Sequence, residues 1–135
     1  MSQNINKLII RHLQYLEQAK QLTCQVLHLS SAEDIDPVFR EIENRDRLVQ
    51  IIRQAQSQIE EAIENLTPDK ITRGFVQVVK SWQADTDFWA EKVNEMDMQV
   101  VANLEIAKRK TSNEIAQVFS NKSKIKGYNL NDLKK

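Results

Sequence analysis

Glycine and proline are nearly missing, with two of each in 135 residues. An all-β domain needs a turn about every eight to twelve residues, and turns draw on those residue types, so that class is excluded. The glycines stand at 74 and 127, which excludes a glycine-rich phosphate loop of the GxGxxG or GxxxxGK kind. The single cysteine, Cys24, excludes an intramolecular disulfide. Its place in a helical apolar pattern reads as a small core hydrophobe rather than a reactive thiol. Apolar runs stay short, so no membrane span is expected. Leu8-Ile9-Ile10 gives way at once to Arg11-His12, so no signal-peptide core is expected and a cytoplasmic location is the default. Net charge is lacking too: 19 basic residues balance 19 acidic ones, and a whole-surface grip on nucleic acid is not expected.

What remains is rich in Gln, Glu, Lys, Leu, Ile, Val and Asn, the composition of long amphipathic helices. The zero net charge hides an asymmetry. Residues 1–29 carry +2, residues 30–107 carry −8 and residues 108–135 carry +6. An acidic body with a basic tail reads either as a solvated helix end, with cations favoured near its C-terminus, or as a means of steering an acidic partner.

Periodicity places the helices. Ile5, Ile9, His12, Leu16, Ala19, Thr23 and Val26 form one stripe at spacings of four and three, predicting a helix from about Asn4 to Leu29. Asp36-Pro37 reads as an N-cap followed by proline at the first helical position. A second helix then runs from Pro37 to about Leu66, with the stripe Val38, Ile42, Arg45, Val49, Ile52, Gln56, Ile59, Ile63 and Leu66. Arg45 and Gln56 interrupt it; they either fix register or snorkel at its edge, and the edge is preferred. Thr67-Pro68 repeats the cap signature and predicts a short third helix to about Gln83, with Ile71, Phe75, Val78, Val79 and Trp82 inward. Asp85-Thr86-Asp87 caps a fourth helix or decorates a joint. Beyond it, Trp89, Val93, Met96, Val100, Leu104, Ala107, Thr111, Ile115 and Val118 hold one face, and Gly127 supplies a left-handed stop. The expected architecture is all-α: an antiparallel bundle of three to four helices with a very long C-terminal helix, one domain over residues 1–128 and a frayed tail over 129–135.

Chemistry-bearing constellations are scarce. His12 and His28 have no second ligand at metal spacing, and neither is followed by the Lys-Gly of a phosphotransfer bundle. His12 reads as a core histidine. Asp87, Glu91 and Glu95 share a helix face, where acids near a helix start favour the dipole; a solvated face outweighs a cation site. No nucleophile has an identifiable base. No enzymatic activity, metal or cofactor is expected.

The informative excess lies on the last helix. Met98, Val101 and Ile106 lie beside its core face, with Phe119, Ile125 and Tyr128 farther on. That helix is too long for its neighbours, so its end packs back, pairs with a second copy, or receives another chain's amphipathic helix.

Asn44-Arg45-Asp46-Arg47-Leu48-Val49-Gln50-Ile51-Ile52 resembles a stretch of the small helical flagellar export chaperones. Val93-Asn94-Glu95-Met96-Asp97, Lys110, Glu114-Ile115-Ala116 and Lys126-Gly127-Tyr128-Asn129 are similar to the C-terminal half of chaperones of the FliT/FlgN type. The resemblance implies a cytoplasmic chaperone of the flagellar type III export system. Such a protein holds the aggregation-prone helical end of a filament-cap or hook-associated subunit, prevents premature assembly and delivers it to the export apparatus. It places partner binding on Ile115, Val118, Phe119, Ile125 and Tyr128. The alternative expectation is a self-associating structural or regulatory bundle, a homodimer through the last helix.

Overall fold

The computed structural model describes the backbone of residues 2–32 and 34–125 and the side chains of residues 4–32 and 34–120. Three α-helices account for nearly all of it: α1 (Ser2–Leu29), α2 (Asp36–Glu64) and α3 (Arg73–Ile125), with a single 3₁₀ turn at Pro68–Lys70. The chain runs up, down and up, so that α2 is antiparallel to both other helices. α1 lies along α2 and α3.

The α1 stripe is buried throughout: Ile5, Ile9, His12, Leu16, Ala19, Thr23 and Val26 all face inward, and Ser30 extends it by one more step. Three layers follow along the bundle. Ile5 and Ile9 share the first with Ile59 of α2 and with Phe75 and Trp82 of α3. Leu16, Ala19 and Ile52 form the second, against Leu48 and Trp89. Val26, Val38 and Val100 form the third, with Ile42 and Leu104 packed on it.

Four local readings are corrected. Asp36 is not the cap of α2 but its first residue; Ile35 holds the cap position, and Asp34 Oδ1 accepts the Asp36 N–H at 3.1 Å. The segment after Thr67 makes only the 3₁₀ turn. The cap that starts α3 is Thr72, whose Oγ1 accepts the Phe75 N–H at 3.1 Å, which satisfies one of the free donors of the first turn. No joint exists at residues 85–87. Phe75, Val79, Trp82, Thr86, Trp89 and Val93 keep one phase, and the Thr86 hydroxyl is absorbed by the Trp82 carbonyl at 2.8 Å. The two predicted C-terminal helices are therefore one, of 53 residues and about 80 Å. Ile71 and Val78 are exposed rather than inward.

Arg45 is not an edge residue. Its guanidinium is ion-paired with Asp97 of α3 and donates to Thr23 Oγ1 of α1 at 3.3 Å, while Thr23 donates to the Ala19 carbonyl at 2.8 Å. One side chain thus ties all three helices together and satisfies a buried hydroxyl. Gln56, in contrast, does lie at the edge, donating to Glu60 Oε1 at 3.2 Å. Arg45→Met is expected to lower the unfolding free energy by about 1 kcal/mol in urea titration, since half-exposed Asp97 recovers water while Thr23 loses a donor.

Gly74 sits in the first turn of α3 without a close neighbour. A Cβ there meets only Thr72 Oγ1 at 3.9 Å, an ordinary contact. Close helix approach does not explain the residue. Gly74→Ala is expected to raise stability by about 0.5 kcal/mol, read as a higher urea midpoint at unchanged slope.

Candidate functional site

Neither histidine belongs to a group of three or more potential metal ligands among the described residues. His12 is fully buried, and its Nδ1 accepts the indole N–H of Trp82 at 2.9 Å with the rings edge-on. Burial holds its pKa below the ordinary value of 6.5. Cys24 is a correction: it lies at the surface, not in the core, with its sulfur 3.5 Å from that of Met96. α1 presents Thr23 and Val26 inward, and Cys24 falls one residue past that line. Asp87, Glu91 and Glu95 lie well inside α3 rather than in its first turn, so no helix dipole holds them. All three are exposed. No group of three or more potential metal ligands exists among the described residues.

Of the expected apolar excess on the last helix, Met98, Val101, Ile106 and Phe119 are exposed. The buried face of α3 runs through Trp89, Val93, Met96, Val100, Leu104 and Ala107 and continues without a phase change into Thr111, Ile115 and Val118. The neighbours do not continue with it. The turn after α1 reaches only the level of Asn103 to Glu114, and every residue from Lys108 to Ser120 is exposed. The residues from Ile115 to Ile125 extend beyond the described part of the bundle by about 16 Å.

On this projecting segment Ile115, Val118 and Phe119 are 53, 62 and 55% exposed. With Thr111 and Glu114 they line a shallow apolar groove of about 310 Å³. Three of the five predicted partner-binding residues are thereby brought together. Ile125 ends α3, but its side chain lies outside the described residues, as does Tyr128 altogether. Gly127 and the tail 129–135 lie outside them too.

Sequence reasoning does not find the shelf at the root of this segment. Ser30, Ser31 and Ala32 face Asn103, Ala107 and Thr111 across a more polar groove of about 480 Å³. The shelf is held by a chain of hydrogen bonds. Gln99 donates to Asn103 Oδ1 at 3.0 Å, Asn103 Nδ2 donates to Ser30 Oγ at 2.9 Å, and Ser30 Oγ donates to the Leu27 carbonyl at 2.6 Å. The available signal is that Ser30 falls four residues after Val26, on the buried stripe. Lys108, Arg109 and Lys110 surround the root with positive charge.

No helix among the described residues is long and apolar enough to cross a membrane. No family model, curated protein or solved structure matches the chain.

Proposed function

We propose that this chain is a protein-binding module, without catalytic activity, that holds the amphipathic helical end of a partner along the projecting segment of α3. The observation that carries the reading is the unbroken apolar face that leaves the bundle beyond Glu114, where Ile115, Val118 and Phe119 are exposed with none of the described residues of α1 or α2 on them. A partner helix laid there completes the same packing that Val100 and Leu104 enjoy inside the bundle. The basic root favours a partner with acidic residues beside its apolar stripe. The class of partner rests on the sequence resemblance: a filament-cap or hook-associated flagellar subunit, held in the cytoplasm until the export apparatus takes it.

The test is co-purification from native extract with tagged full-length protein beside a Val118→Asp, Phe119→Asp double variant. The wild type is expected to retain one flagellar subunit, and the variant to lose it by about 100-fold in affinity at unchanged helicity. Equal retention by both sinks the site; retention of no flagellar subunit sinks the partner class.

A second reading, pairing of two copies through α3, is favoured by a different face of that helix, where exposed apolar residues recur from Met98 to Phe119.

A further inference from the structure

α3 carries a second stripe, about 100° around the helix from Val100. From Met98 the exposed residues Val101, Glu105, Lys108, Ser112 and Ile115 follow one another at alternating spacings of three and four, ending on Phe119. That is the seven-residue repeat of a coiled-coil seam, three heptads long, with apolar ends and a charged centre. Met98, Val101, Ile115 and Phe119 are each more than half exposed, so the bundle leaves the seam open.

We propose that a second copy of this chain occupies the seam, its α3 antiparallel to the first, in the register that sets Glu105 opposite Lys108 of the second copy. The inference rests on the second reading above and not on the export-chaperone assignment. Charge selects both occupant and direction. In the antiparallel register Glu105 meets Lys108 twice, by symmetry, while Met98 meets Ile115 and Val101 meets Ser112. A parallel pair sets Glu105 on Glu105 and Lys108 on Lys108, with the two basic roots side by side. On a larger scale, residues 85–105 carry −5 and residues 108–120 carry +2. The antiparallel arrangement lays each copy's basic segment along the other's acidic one.

Few apolar side chains take part, so the dimer is weak and reversible. Ile115 and Phe119 belong both to this seam and to the proposed partner groove. Pairing of two copies therefore competes with the partner for the same residues, and the chain presents its groove fully only as the monomer.

The test uses sedimentation equilibrium of the full chain at low salt, from about 5 to about 500 µM, the range of a small interface. The wild type is expected to show a monomer–dimer equilibrium. Lys108→Glu and Glu105→Lys, each at an exposed site, are each expected to weaken it by about 10-fold, and the double variant Glu105→Lys, Lys108→Glu to restore it. In a mixture, the double variant and the wild type are expected not to pair, because an antiparallel mixed dimer opposes like charges at every central position. A parallel dimer predicts the reverse, since its mixed pair opposes unlike charges. A wild type that stays monomeric throughout overturns the proposal. So does a mixed pair as tight as either like pair, or a dimer indifferent to all three variants.

Discussion

Trp82→Phe is expected to remove about 3 kcal/mol of stability, a large part of the ~5–15 kcal/mol that holds a domain of this size. Trp82 is 4% exposed and belongs to the end layer with Ile5, Ile9, Ile59 and Phe75. Its indole N–H is the group that satisfies His12, at 2.9 Å. Phenylalanine keeps most of the apolar contact but leaves a void where the second ring stood, worth about 1 kcal/mol. It also leaves a fully buried imidazole nitrogen without a donor, worth about 1–3 kcal/mol. The two costs are coupled. His12→Leu, Trp82→Phe together are expected to cost less than the sum of the single changes, because the second change removes the group that the first has orphaned. Urea titration of the three variants measures this directly.

The same contact sets a pH dependence. Because Nδ1 accepts from Trp82, neutral His12 carries its proton on Nε2, a buried atom with no partner among the described residues. A second proton has to go onto Nδ1, where it faces the indole N–H and the bond is lost. Burial and geometry thus act together to favour the neutral form in the fold. The folded pKa lies below the ordinary 6.5, so the unfolded chain binds more protons between the two values. Stability from this residue is fully present above pH ~6.5 and declines as pH falls from there toward the lowered folded value. The urea midpoint is expected to drop as pH falls below ~6.5, starting above the range where carboxylates titrate. His12→Leu is expected to flatten that window while lowering the midpoint throughout, since it leaves the Trp82 N–H unpaired. A slope that persists in His12→Leu assigns the effect elsewhere.

Much of this was legible in the sequence, for a physical reason. A helix buried along one stripe must repeat at 3.6 residues, so α1 could be read residue by residue, His12 and Thr23 included. Periodicity says which residues face inward but not which polar ones are satisfied there. Arg45 escapes a reading by periodicity for that reason: its partners, Thr23 and Asp97, come from two other helices. Asp85-Thr86-Asp87 looked like a joint because those residue types cap helices, yet a Thr can also return its hydroxyl to the carbonyl four residues back. On the projecting segment, the exposure of Ile115, Val118 and Phe119 follows from length arithmetic, because α3 outruns its neighbours. The Ser30 shelf does not, because it exists only where the turn after α1 meets Asn103.

Hydrogen exchange along α3 is expected to show protection that falls by about 100-fold or more between the Met96–Leu104 stretch and the Thr111–Ser120 stretch of the same continuous helix. Val100 is 4% exposed and anchored by Val26 and Val38, so its amide opens only with the bundle. Past Glu114 no other element among the described residues covers the helix, and intrinsic propensity is what remains there. That propensity is poor: Thr111, Ser112, Asn113, Val118, Phe119 and Ser120 all rank well below alanine. An isolated helix of about fifteen residues is marginal in water even with good formers, and this one is propped at its N-terminal end only. The groove and the seam are therefore built on a segment whose helix is stabilised by whatever covers it. Added partner, or high concentration of the chain itself, is expected to raise protection at Ile115 to Phe119 while leaving Met96 to Leu104 unchanged. Ordering the segment consumes part of the binding energy and keeps both associations reversible, which suits a carrier that must release what it holds. Equal protection on both stretches in the dilute, partner-free chain contradicts this account, because it requires an intramolecular cover for Ile115, Val118 and Phe119.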